Sequence, residues 1–350
     1  MFRSHWLLIS CALCWAATCA WADSSPIPAA DYTVAHSWQL GGNGSWDHLA
    51  LEASGARLFI SRQDRVDVIE TVSGRLAASI AHTAGVHGIA FAPALKRGFT
   101  SNGKANSVSV FELDTLRVIQ EIPVSGIGPD AILYEPQRNV VFTANRESSN
   151  LTVIDAGTLQ VVATIALPGP PDFMVTDEVG NVFVNIDLAP GKLVLIDAKT
   201  LTVKAKWPLA GCANPSGLAL DSGNHRLFSV CANQVLAVTD SVAGKPVTRA
   251  VIGRGPDSVV YDPDLGLVFS CNGIDGTLTV IHQDSPDEYR VTATVTTQVS
   301  ARTMTLDPAT HKIYLAAAQF GPTPAATPEQ PNPRAPLVAD SFVILVAQPR

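Results

Sequence analysis

Seven stretches of this chain follow one pattern: GSWDHLALEASGARLFISR, GVHGIAFAPALKRGFTSN, GPDAILYEPQRNVVFTAN, GPPDFMVTDEVGNVFVNI, ANPSGLALDSGNHRLFSVC, GPDSVVYDPDLGLVFSCN and SARTMTLDPATHKIYLAA. Each reads as a short apolar strand, a turn of Asp, Pro, Gly or Asn, and a second strand carrying Phe or Tyr. Most continue into a third strand (RVDVIE, SVSVFE, LTVIDA, LVLIDA) and a fourth (LAASIA, RVIQEI, VVATIA, VKAKWP). The aligned positions Asp47, His87, Asp130, Asp172, Ser216, Asp257 and Arg302 lie 40 to 45 residues apart. Four strands per unit at that period predict an all-β fold, a seven-bladed β-propeller of four-stranded antiparallel blades.

The seventh unit departs from the others. After KIYLAAA comes a Pro-rich loop, 321–336, then SFVILVA as a third strand, and no fourth. YTVAHSWQL, Tyr32 to Leu40, has the pattern of a fourth strand without a unit of its own. It is expected to complete blade seven and cover an edge that would otherwise stand open.

Residues 1–22 read as a secretory signal peptide. Arg3 is basic, Trp6 to Ala17 is apolar, and Ala20-Trp21-Ala22 is an A-x-A cleavage site. Leu8-Ile9-Ser10-Cys11 resembles a lipoprotein box but has almost no apolar run before it. The mature chain, 23–350, is expected to be one propeller domain in the periplasm or outside the cell. It has no transmembrane segment and is expected to be monomeric. Removing Arg3 takes the net charge from −7 to −8. That balance, with no Lys/Arg run, argues against a nucleic-acid partner. Three cysteines remain: Cys212, Cys231 and Cys271. Cys212 precedes the inner strand of blade five and Cys231 ends the second strand of the same hairpin, so a structural Cys212–Cys231 disulfide is expected, with Cys271 free.

GPDAILYEP…VVFTANRESSNLTVIDAGTLQVVATI and GPDSVVYDP…LVFSCNGIDGTLTVI resemble the YVTN-type, or YncE-like, β-propeller repeat family. GSWDHL, GVHGIAFAP, GFTSNG, NPSGLA and ARTMTLDP look like an exported bacterial branch of it. The match runs from about Tyr32 onward and is poorest in blade five. The resemblance implies an exported seven-bladed ring. It implies no reaction; related propellers include lactonases, quinoprotein subunits and nitrite-reductase haem domains, and a shared fold does not transfer their chemistry.

In a propeller the residues entering the innermost strands crowd one mouth of the central channel. Here they are Asp47, His87, Asp130, Asp172, Ser216, Asp257 and Arg302, with Trp46 in the place of Pro before Asp47. The ends of the second strands, Arg62, Asn102, Asn145, Asn185, Cys231 and Asn272, are expected at the same mouth. Together they form a candidate ligand-binding set: Trp46, Asp47, Arg62, His87, Asn102, Asp130, Asn145, Asp172, Asn185, Asp257, Asn272 and Arg302. A polar mouth above an apolar body suits a small molecule or a protein partner. The repeated Asp also has a structural use, capping turns by accepting backbone N–H bonds. The departures from the repeat, Trp46, His87 and Arg302, are the sharper functional candidates, and as mouth residues they are expected to matter little for stability.

Asp, Asn and His ligands at the mouth would suit a hard or borderline cation, but the motifs speak against one and no metal ligand is assigned. There is no H-x-H or H-E-x-x-H motif, and Asp47 and His48, as strand neighbours, should point to opposite sides. No G-x-S-x-G elbow or Cys-x-x-Cys-His is present, no cofactor is indicated, and no catalytic residue is assigned. The Pro-rich loop is expected to leave from the mouth, either to lie over it as a partial lid, with Phe320 and Arg334 above the pocket, or to form a surface excursion with no role. The reading is an exported binding or interaction module; the alternative is a channel-mouth hydrolase or lyase of lactonase type, using His87 with the acidic ring, with or without a metal ion.

Overall fold

A computed structural model describes Met1 and residues 31–327 and 330–350. The expected signal peptide, apart from Met1, lies outside the described residues. Seven separate four-stranded antiparallel sheets are arranged as a ring. The innermost strands of blades one to seven are Leu49–Leu51, Val86–Ala92, Pro129–Glu135, Pro171–Thr176, Pro215–Asp221, Pro256–Asp262 and Thr303–Asp307. Among the described residues the one helical turn is Pro93–Leu95.

Each blade is covered by a neighbour on both faces, so its middle strands are apolar throughout instead of alternating. Val140–Asn145 is buried at every position, whereas the outer strand Val161–Ala166 is mostly exposed. The Phe or Tyr of each second strand (Phe59, Phe99, Phe142, Phe183, Phe228, Phe269, Tyr314) is fully or nearly fully buried. The core is divided into seven apolar seams, each shared by two adjacent blades. Phe142 and Val153 of blade three meet Met174 and Val184 of blade four; Phe59 and Val68 of blade one meet Val86 and Phe111 of blade two.

The N-terminal strand closes the ring as expected. In blade seven the order is Tyr32–Gln39, Val343–Pro349, Lys312–Ala317, Thr303–Asp307. The pairing runs from Tyr32 opposite Pro349 to Gln39 opposite Val343. Tyr32 is buried edge-on against Phe269 of blade six, 4.8 Å between centroids, and its hydroxyl donates to the His311 carbonyl at 2.9 Å. The strand thus fastens blade seven to blade six as well as covering its edge.

The inner hairpins carry a shared irregularity. In blades two to six the pairing register shifts just after the first residue of the inner strand. Pro129 lies opposite Asn145 and Pro215 opposite Cys231. The proline, not the residue after it, faces the end of the second strand, so Ser216 is not opposite Cys231. The bulge turns the following residue out of the sheet and toward the mouth. Gly85, Gly128 and Gly255, at φ +67° to +70°, make the turn into this segment, a conformation other residues enter at a cost.

Cys212 and Cys231 form the expected disulfide, Cα–Cα 5.4 Å, and Cys271 is free and buried.

Two outcomes follow for stability. Deleting Asp31 to Leu40 exposes the Val343–Pro349 edge and uncovers the seam with blade six. Thermal unfolding should show a large loss of melting temperature or aggregation; an unchanged melt would mean the strand does not close the ring. Cys212→Ala should lower unfolding free energy by about 2–4 kcal/mol in denaturant titrations, the range for a bridge closing a short loop.

Candidate functional site

Charged and polar residues around the starts of the inner strands meet at one mouth and form a belt of contacts that touches all seven blades. Arg302 of blade seven donates from Nε to Asp257 of blade six at 3.0 Å and lies 3.7 Å from Asp47 of blade one. Its Nη2 donates to the Trp46 carbonyl at 3.2 Å, and its guanidinium stands 5.6 Å from the Trp46 ring. Asp47 Oδ2 is 2.6 Å from His87 Nδ1 in blade two, and His87 Nδ1 is 3.7 Å from Asp130 of blade three. Arg146 of blade three pairs with Asp172 at 2.7 Å and with Asp187, both in blade four. Asn214 donates to Asp187 at 2.9 Å from the turn into blade five, and Ser216 donates to the Pro256 carbonyl at 3.2 Å, completing the circuit to blade six.

The electrostatics follow from crowding carboxylates in a partly dry mouth. Burial alone would raise Asp47, but His48, His87 and Arg302 outweigh it and hold its carboxyl below the usual range. Burial, then the fields of Asp130 and Asp257, pushes Asp172 well above the usual carboxylate range against the pull of Arg146 and His48. Burial also raises Asp257, with Arg302 opposing. Burial opposes charge on the two imidazoles, yet the carboxylates win. Asp47, Asp130 and Asp257 raise His48 to about 9, and Asp47 and Asp130 raise His87.

Asp47, His87, Asp130, Asp172, Asp257 and Arg302 therefore stand together. The other polar members of the sequence set do not face the opening. Asn102, Asn145 and Asn272 are fully buried. Each donates to side-chain oxygens five and seven residues ahead on the third strand: Asn102 to Ser107 and Ser109, Asn145 to Asn150 and Thr152, Asn272 to Thr277 and Thr279. They clamp the second hairpin of their own blades. Asn185, also buried, donates to the Ser216 and Gly217 carbonyls and joins blade four to five. Arg62 is 0 % exposed. It lies 3.8 Å from the centroid of Phe342 and donates to the Asn43 carbonyl at 3.2 Å, holding the loop that follows the closing strand. Trp46 is 4 % exposed and packs on Phe342, 5.4 Å between centroids, in the seam between blades seven and one. It is a core residue at the mouth, so the expectation that it matters little for stability is corrected.

Two further readings change. Among the described residues none of Asp47, Asp130, Asp172 and Asp257 accepts a backbone N–H. Turn capping belongs to the acidic residues at the far ends of inner strands, such as Glu135 to Gln137 and Arg138 N–H, and Asp262 to Asp264 and Leu265 N–H. Asp47 and His48 do not point apart. The first inner strand begins only at Leu49, so alternation does not apply to them, and both approach Asp130. His48, Arg146, Asp187 and Lys104 are mouth residues that the aligned positions omit; they lie beside those positions or in connecting loops.

A cavity of about 650 Å³ opens beside the belt, between blades one and two and the base of the Pro-rich loop. Trp46, Val86, Phe320 and Leu337 form its apolar wall, and Asp47, His87, Lys104, Arg302 and Arg334 its polar one. Phe320 bridges Leu337, Gly321 N–H donates to the Pro336 carbonyl at 2.8 Å, and Phe320 stands 6.0 Å from Trp46. The two ends of the loop are zipped together over one side of the cavity.

A family described as YncE-like β-propeller matches over residues 58–180, within blades one to four. No curated protein matches the chain in sequence. Among solved structures, Kuenenia stuttgartiensis hydrazine synthase is similar at a TM-score of 0.69, covering 91% of this chain and 99% of that one at 16% identity. That likeness is one of fold alone. The chain is a seven-bladed β-propeller whose residues 58–180 carry the YncE-like family match.

Proposed function

We propose that the protein is an exported binding module whose mouth cavity takes a small anion with an apolar body. The propeller fold supports a binding or interaction role in general terms. The observation that carries the finer reading is the wall composition. Three fixed cations, Lys104, Arg302 and Arg334, and His87 face a single carboxylate, Asp47, beside an apolar wall of Trp46, Val86, Phe320 and Leu337. Lys104 makes no ion pair among the described residues. An anion entering there gains charge-assisted hydrogen bonds while its apolar part is taken from water. The looped segment from Phe320 to Leu337 acts as a strap on one side. Export is supported by the disulfide, which suits an oxidising compartment. No helix among the described residues is long and apolar enough to cross a membrane.

A second reading rests on the Asp47–His87 pair. An imidazole held by a carboxylate is the arrangement of a general base, which suits lactone hydrolysis. A lactone panel tests it: turnover lost in His87→Ala, with the fold retained, would transfer the assignment to the hydrolase.

The binding reading is checked by thermal shift against small aromatic and aliphatic carboxylates and their neutral amides. Carboxylates should raise the melting temperature and amides should not. Lys104→Ala and Arg334→Ala should melt like the wild type and lose that shift, and an effective ligand should protect residues 321–336 from proteolysis. Equal shifts from amides, or undiminished shifts in both variants, would overturn it. Trp46→Ala should behave differently and cost about 3–5 kcal/mol, as large aromatic truncations in cores do.

A further inference from the structure

His48 is the mouth residue that neither the cavity nor the apolar seams explain. Its ring reaches across to blade four and lies against Phe173, 4.4 Å between centroids. Neither ring nitrogen makes a hydrogen bond among the described residues. The atom facing Nε2 is Asp130 Oδ1, at 3.7 Å, beyond hydrogen-bond range. His87 Nδ1 stands at the same 3.7 Å from that oxygen and 2.6 Å from Asp47 Oδ2. Asp47, His48 and Asp130 each turn one ligand atom to a common region, and these atoms all lie within 4.8 Å of one another.

The two 3.7 Å separations suit ligands of one cation better than direct hydrogen bonds, whereas the 2.6 Å Asp47–His87 contact is a hydrogen bond that a bound ion must displace. Ligand atoms on a tetrahedral ion with bonds of about 2.0–2.2 Å stand roughly 3.3–3.6 Å apart. The two 3.7 Å separations are close to that. The 2.6 Å contact opens by under about 1 Å, on a His87 side chain that is 39% exposed and free to yield. The donor set selects the class of ion. Two imidazole nitrogens and two carboxylate oxygens suit a borderline ion such as zinc, copper or nickel; calcium and magnesium prefer all-oxygen sites. Asp47 and Asp130 supply the two negative charges that neutralise such an ion. Arg302, 3.7 Å from Asp47 Oδ1, holds one of these carboxylates from behind.

We propose that Asp47, His48, His87 and Asp130, drawn from blades one, two and three, form a binding site for one divalent first-row transition-metal ion. Asp47 and His87 also belong to the cavity wall, so the ion adds positive charge beside the anion site. The proposal does not rest on that site, because Lys104 and Arg334 take no part in it.

The test uses the full mature chain, stripped with chelator and titrated with zinc by calorimetry at neutral pH. One ion per chain should bind. His48→Gln and Asp130→Asn should each weaken zinc by at least about tenfold, the smallest loss seen when even supporting groups of a metal site are removed. Lys104→Ala should leave zinc binding unchanged while losing the carboxylate shift, which separates failure of one reading from failure of the other. Copper(II) bound to the wild type should show two nitrogen ligands by electron paramagnetic resonance, a readout that stands if either variant does not fold. No stoichiometric binding at micromolar zinc, unaltered binding in both variants, or fewer than two nitrogen ligands would overturn the site.

Discussion

A four-stranded blade with both middle strands apolar has no stable existence by itself, because each face must be covered by another blade. The ring answers this with seven seams, and the seams hold only if the ring is closed. In this chain closure depends on Tyr32–Gln39, which pairs along Val343–Pro349 and inserts Tyr32 against Phe269 of blade six. Without it, blade seven would present an open strand edge, and the neighbouring seam would face water. The arrangement of the mouth is downstream of that closure. The seven inner strands start at one end because the ring fixes their directions, and in blades two to six the bulge after the start aims one residue at the opening.

That geometry creates an electrostatic problem that the sequence solves at the residues that break the repeat. Aspartates at all seven starts would crowd like charges into a mouth of low polarisability. His87 stands between Asp47 and Asp130, Arg302 between Asp257 and Asp47, and Arg146 of blade three between Asp172 and Asp187 of blade four. The departures thus serve as struts between blades as well as facing the opening. Part of their importance is structural, and the cavity cations outside the belt, Lys104 and Arg334, are the cleaner probes of ligand binding.

The Asn residues show how a repeat can mislead. Asn102, Asn145 and Asn272 recur at strand ends because each clamps two side-chain oxygens on the next strand, five and seven residues later. The Ser/Thr spacing is visible in the chain and would have signalled this use. Nothing comparable marks His48. Its position is set by where the first inner strand begins and by Phe173, a residue 125 positions away in another blade.

The sequence by itself determined the number of blades, the strand that closes the ring, the buried aromatic of every second strand and the Cys212–Cys231 bridge. These follow from periodicity, from a unit one strand short and from proximity within one hairpin, all local quantities. The aligned repeat positions also placed Asp47, His87, Asp130, Asp172, Asp257 and Arg302 at the mouth, but tertiary structure alone decided which other polar residues join them and which turn away. A one-residue bulge put Pro in place of Asp opposite Asn145. Burial in a seam made Trp46 and Arg62 core residues, and the approach of three blades brought His48, Asp47, His87 and Asp130 together. Such outcomes depend on the relative placement of side chains from different blades, and a repeat of about 40–45 residues carries no record of which neighbours those side chains will meet.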